Sequence, residues 1–306
     1  MSISEYDDEI RTRKLLIRTY VEKPPVLWIV AGQSNAVGYA QPAYEAAKYC
    51  GSFWYWYNSA GELRPLKDPT CGLLAAYQNF GSAWPSFART FFELTGRKVA
   101  LLNVARGGSA VTSPFSNTWY GEDEGNELRV NATTQFNAMA TALGTANDDY
   151  VLGGLLWIQG EAETSGLVAE NVTVSEYKSG TLDVFRFFRE LTSTPNLPIF
   201  ISQIGYQSTV KTNPDLLDAY HQIQAAQTEL ARDNANVYMA LNVLTAAVNP
   251  KAEFKNHTPL HTHYDVSAVW KARGRSGRMR RLIGRRKNEE GFLSAGRDQP
   301  CCQRVC

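Results

Sequence analysis

Ser34 sits in Gly32-Gln-Ser-Asn35, directly after the apolar run Val26-Leu-Trp-Ile-Val30. A serine hydroxyl becomes a nucleophile when a neighbouring base takes its proton, and it needs donors aimed at the oxyanion it creates. Two later blocks carry complementary residues. Arg106-Gly-Gly-Ser109 follows the apolar run 99–104 and offers glycine N–H groups that a carbonyl oxygen can approach closely. Gln159-Gly-Glu161 follows the run 151–158 and offers a side-chain amide and a carboxylate. Three of the four histidines, His257, His261 and His263, fall within seven residues further on. Hydroxyl, amide donors, carboxylate and imidazole are the parts of acyl transfer. The fourth, His221, lies inside a helical pattern and reads as a surface or packing residue.

The histidine cluster could also suit a metal, with His261 and His263 flanking Thr262. No neighbouring carboxylate or thiolate completes a ligand set. The sequence therefore predicts no metal and no cofactor.

These blocks need a scaffold that brings them together. Apolar runs near 26–31, 99–104, 151–158, 197–204 and 237–241 read as buried strands. Helical spacing covers about 86–94, 132–146, 175–192 and 215–233, with a loop near 112–128. Alternating strands and helices imply parallel pairing with helices on both faces. All carboxyl ends then share one edge, which is where open α/β sheets bind their ligands. The expected fold is α/β, a three-layer α/β/α sandwich around a central parallel sheet of about five strands. Phe53-Trp-Tyr-Trp-Tyr57 lies in an otherwise irregular stretch, 40–80. It reads as a short covered strand in preference to a ring surface for sugars.

Composition narrows the class. With 306 residues and 44% hydrophobic content the chain can bury one large core. No apolar run is long enough to span a membrane, and the acidic N-terminus is unlike a secretory signal. The net charge of +1 conceals a division. Residues 271–306 hold eleven Lys/Arg against three Asp/Glu, whereas 1–270 hold 20 against 27. The basic tail has no aromatic interleaving, so no nucleic-acid partner is expected. It reads as sequence foreign to the fold, which gives a lead-in over 1–24, one folded domain over 25–270 and a tail over 271–306. The five cysteines lack metal-site spacing. None of this assigns a compartment or an oligomeric state.

Ala31-Gly-Gln-Ser-Asn35, Val104-Ala-Arg-Gly-Gly-Ser109 and Trp157-Ile-Gln-Gly-Glu161, in this order, resemble the SGNH hydrolases. Within them they are similar to the sialate O-acetylesterase-like branch that includes carbohydrate esterase family 6. The resemblance implies a flavodoxin-like fold and a serine esterase that removes acetyl groups from carbohydrates. It makes Ser34 the nucleophile, with its N–H as an oxyanion donor. It makes Gly108, or Gly107 with an offset of one residue, a second donor, and the Gln159 amide a third. Glu161 becomes the carboxylate that orients the histidine in some relatives; the alternative is a scaffold bond to the neighbouring turn. An α/β-hydrolase is disfavoured, since Ala36 stands where the second elbow glycine belongs.

The family's last block reads Asp-x-x-His, with glycine five residues after the histidine. Here His263 fits the histidine, with Ala268 in place of the glycine and Leu260 in place of the aspartate. The acid partner is then Glu161, or Asp265, or absent in a Ser–His dyad, and His261 is the second candidate base. Two other functions stand beside the acetylesterase: a lipase or thioesterase of the same superfamily, and a weakened glycan-binding module. The partner expected in each carbohydrate reading is an acetylated glycan.

Overall fold

A computed structural model describes residues 23–39, 54–57, 60–70, 81–113, 115–121, 126–144, 149–206, 210 and 212–241. The chain opens with strand β1 (Val26–Gly32) and a one-turn helix α1 (Ser34–Val37). A hairpin follows, β2 (Trp54–Tyr57) and β3 (Glu62–Pro65), then helix α2 (Trp84–Thr95) and β4 (Val99–Asn103). Next come α3 (Glu127–Leu143), β5 (Val151–Ile158), α4 (Glu161–Val168) and α5 (Val174–Leu191). The described part closes with β6 (Ile199–Ser202), α6 (Pro214–Asp233) and β7 (Val237–Leu241).

Among the described residues the sheet has seven strands in the order β3-β2-β4-β1-β5-β6-β7. Every neighbouring pair is parallel except the β2–β3 hairpin, which closes one edge. The five parallel strands expected from sequence are all present, with β1 at the centre. Trp54–Tyr57 of the aromatic run form strand β2, and the stretch expected to be irregular also contributes β3. Strand order changes direction at β1, between β4 and β5, which is the position where such sheets form their crevice.

β1 shows why both faces are covered. Successive side chains point to opposite faces of a strand. Leu27, Ile29 and Ala31 join a core with residues of α3, α5 and α6, including Phe136, Phe185, Phe188 and Tyr220. Val26, Trp28 and Val30 join a second core under α2 with Ala88 and Phe91. Burying a side chain of the size of Leu27 or Ile29 contributes about 1.5–3 kcal/mol. A strand apolar at every position satisfies both layers at once, which gives the α/β/α sandwich. Trp28 anchors the α2 face through edge contacts with Phe87 and Phe91, ring centroids 5.2 and 5.5 Å apart.

Two helix boundaries differ from the sequence reading. α3 begins at Glu127, not near 132, because the Asn126 side chain caps it, accepting from the N–H groups of Leu128 and Arg129. α4 occupies what reads as a turn after Gln159. Its eight residues lack an apolar stripe, so periodicity gives no sign of it; Glu161 and Glu163 in its first turn suit the positive end of a helix. The other helices lie close to expectation, α5 with a Thr173–Glu176 capping box and α6 capped by Asn213. All five cysteines lie outside the described residues. Among the described residues no helix is long and apolar enough to cross a membrane.

Candidate active site

Ser34 is the first residue of α1, immediately beyond the carboxyl end of β1. The sharp exit is built by Gly32, whose φ of +127° places it where glycine is favoured. A Cβ there would lie 2.0 Å from the Ile158 carbonyl oxygen of β5. Gln33 N–H donates to that same oxygen at 2.9 Å, so β1 and β5 stay paired up to the residue before the serine. Ser34 is half-buried. Among the described residues no hydrogen bond engages its hydroxyl or its N–H.

A single turn of helix is marginal alone, and neighbours brace this one from its carbonyl end. The Asn103 amide at the end of β4 donates to the carbonyls of Ala36 and Val37, at 3.1 and 3.2 Å. The Trp84 indole N–H donates to Ala36 O at 2.8 Å. Behind Trp84 lies a buried polar knot. Asp68 accepts from Ser82 N–H at 3.0 Å and from Ser82 Oγ at 2.6 Å, and Trp84 N–H donates to Ser82 Oγ at 3.3 Å. Burial pushes the Asp68 carboxyl up to about 6 against the pull of those donors. The sequence reading missed Asn103, Trp84 and Asp68. Asn103 alone carried a signal, a polar residue ending the fully buried run of β4.

The second block is tied to the first through backbone. Arg106 N–H and Ser109 Oγ both donate to Gly32 O, each at 3.0 Å. Trp119 Nε1 donates to Ser109 Oγ at 3.2 Å, which holds the loop from behind. Gly108 is exposed, with φ +69° and open space where a side chain would stand. No hydrogen bond engages its N–H among the described residues. Gly107 is half-buried beside it.

The third block turns inward. Gln159 is fully buried, and its Nε2 donates to Ser109 O at 3.2 Å and to Glu163 Oε2 at 2.5 Å. Both amide hydrogens are thereby committed, while Oε1 is buried without a partner. Glu161 Oε1 accepts from Asn35 Nδ2 at 2.8 Å, which links the third block to the residue after the nucleophile. Its Oε2 is enclosed without a partner, and burial raises the carboxyl above the ordinary glutamate range. The bond to Asn35 is the scaffold contact anticipated as one reading of Glu161. The enclosed free oxygen leaves an acceptor for a second donor.

Glu163 is the other buried acid. Burial pushes it up to about 7, opposed by N–H donors from Val111 and Gln159 and assisted slightly by Glu161. An acid whose pKa is higher folded than unfolded binds its proton more tightly when folded, so folding weakens as pH rises. Between the ordinary value of 4.5 and about 7, Glu163 should remove about 3 kcal/mol of stability. Denaturant titrations at pH 5 and pH 8 check this: the wild type is expected to be less stable at pH 8, and Glu163→Gln is expected to reduce that difference, the remainder coming from Asp68 and Glu161, whose carboxyls burial also raises. Equal wild-type stability at both pH values would contradict it.

His221, on α6, is exposed and packs edge-on against Tyr206, ring centroids 5.7 Å apart. His257, His261, His263, Asp265 and the tail 271–306 lie outside the described residues. Among the described residues no group of three His, Cys, Asp or Glu side chains could hold a metal ion.

A serine turn on the central strand of a parallel α/β/α sheet, with glycine and carboxylate turns on the two flanking strands, is the arrangement that the resemblance to SGNH hydrolases implies. The particular family follows from comparison with known proteins. Residues 24–269 match the family of carbohydrate esterases described as sialic acid-specific acetylesterases. The chain belongs to this family, and it is a carboxylic ester hydrolase. Similar solved structures include a protein from Arabidopsis thaliana, 15% identical with a TM-score of 0.58, over 86% of this chain and 99% of that one. NanS is 15% identical with a TM-score of 0.56, over 87% and 99%. A carbohydrate acetylesterase from Xanthomonas citri is 16% identical with a TM-score of 0.52, over 88% of this chain and 57% of that one. At these identities the likeness concerns the fold. No curated protein matches.

Proposed function

We propose that this enzyme removes O-acetyl groups from carbohydrates by a serine mechanism, with Ser34 as nucleophile and His263 as base. The observation that carries the reading is the Ser34 turn: a half-buried hydroxyl and N–H, both unengaged by the described residues, at the switch point of the sheet. Ser34 Oγ bonds to the acetyl carbonyl carbon while His263 takes the hydroxyl proton. The oxyanion accepts from the N–H groups of Ser34 and Gly108. Gln159 joins as a third donor by exchanging its longer bond, the one to Ser109 O. His263 then gives its proton to the sugar oxygen as the ester bond breaks. Water, deprotonated by the same histidine, attacks the acetyl-enzyme, and the histidine returns that proton to Ser34 Oγ as its bond to the acetyl carbon breaks and acetate leaves. No metal or cofactor enters the scheme.

Glu161 is the acid proposed to orient the histidine, since its second oxygen is enclosed next to the nucleophile turn. Glu161→Gln keeps an oxygen for Asn35 but replaces the free acceptor by a donor. A fall in kcat/KM of about 10²–10⁴ is expected. Unchanged activity would pass the role to Asp265 or to a Ser–His dyad. His263→Ala and His261→Ala decide the base: only the first should abolish acetate release from O-acetylated sialic acid, the substrate in the family's description.

A further inference from the structure

Glu163 has no place in the scheme above, yet its carboxylate accepts donors from two of the loops at this edge of the sheet. It is fully buried, one turn into α4. Oε1 accepts from Val111 N–H at 2.6 Å and Oε2 accepts from Gln159 Nε2 at 2.5 Å. Val111 lies two residues beyond Ser109, on the loop that also carries Gly108. One side chain therefore joins the glycine loop to the amide of the third block, and Ser109 Oγ carries the link on to Gly32.

Both groups facing Glu163 are donors, so only an acceptor with two free oxygens satisfies them. The ionised carboxylate does, and it makes both bonds charge-assisted. No described cation bonds to it. The titratable groups that act on it are Glu161 on its own helix and the Tyr177 phenol on α5, and neither neutralises it. A buried acid without a counter-ion weakens folding, so a residue kept for stability alone would be a poor choice here.

We propose that Glu163 is the positioning residue of the oxyanion site, its two oxygens fixing the distance between the Gly108 loop and the Gln159 amide. The assignment rests on the reading of Gly108 and Gln159 as oxyanion donors. Glu163 holds one Gln159 hydrogen in place, so that the other can move from Ser109 O to the developing oxyanion. It touches no reacting atom and acts through the two donors.

The test uses the full chain with Glu163→Gln and Glu163→Asp, p-nitrophenyl acetate as substrate, and a fluorophosphonate probe to count competent Ser34 sites. Glu163→Gln sets an NH₂ against one of two donors. We expect kcat per labelled site to fall roughly tenfold to a hundredfold with KM within about twofold, less than the ~10²–10³ for deleting a donor. Glu163→Asp keeps two acceptor oxygens and is expected to recover part of that loss. If Glu163→Gln does not fold, Glu163→Asp is judged by the same measure. A variant with fewer labelled sites but unchanged kcat per site would make Glu163 merely structural and overturn the proposal, as would a change confined to KM. Ser34→Ala run in parallel separates the two failures: its activity would remove the serine mechanism itself, whereas its inactivity beside a fully active Glu163→Gln removes only this inference.

Discussion

Ser34→Ala is expected to fold like the parent and to lose turnover of p-nitrophenyl acetate by roughly 10⁴-fold or more. The two halves of that expectation have separate causes. The hydroxyl makes no hydrogen bond within the described structure, so its removal leaves no buried partner unsatisfied. The braces of α1 grip other atoms, the carbonyls of Ala36 and Val37, and these survive the substitution. Chemistry is lost because no other group at this turn can form the acyl bond. Circular dichroism and thermal unfolding should superimpose on wild type while acetate release and fluorophosphonate labelling vanish. Residual turnover within tenfold of wild type would remove Ser34 from the mechanism.

Gly32→Ala is expected to do the reverse and damage the fold first. A Cβ at position 32 would sit 2.0 Å from a main-chain oxygen of the neighbouring central strand, and φ is +127° there. A backbone oxygen cannot rotate aside as a long side chain would, so β1 and β5 must part at their ends. That separation breaks the Gln33-to-Ile158 bond and moves Gly32 O, which receives both Arg106 N–H and Ser109 Oγ. A loss of about 4 kcal/mol or more is expected, of the size seen when a special backbone site is filled. For a chain of this length that is a fall in Tm of about 6 °C or more. Whatever fraction folds should also show reduced kcat, because the serine turn and glycine loop share this atom. A variant with wild-type Tm would show that the strands tolerate the methyl group.

What the sequence alone determined is the periodic and the local. Each central strand is a continuous apolar run, because each packs under helices on both faces, and such runs are legible without partners. Alternation of those runs with helices implied the parallel sheet, and parallel strands put Ser34, Gly108 and Glu161 at one edge before any contact was known. The helices with apolar stripes were equally legible; α4 was not, since its eight residues show no stripe and its start depends on the turn that precedes it.

Only the tertiary structure decided who bonds to whom at that edge. Asn103 and Trp84 are far from Ser34 in sequence, and their bonds to α1 exist because β4 lies beside β1 and α2 covers the same face. Gln159 read as a donor turned toward substrate, but its amide points inward because Ser109 O and Glu163 lie beneath it. Glu163 itself looked like one more acid in a polar turn. Burial makes it different: an enclosed carboxylate must take the donors that face it, and those donors come from two different loops. Pattern reveals which residues gather at the Ser34 edge, whereas direction of a side chain and the desolvation of a charge depend on neighbours from other elements.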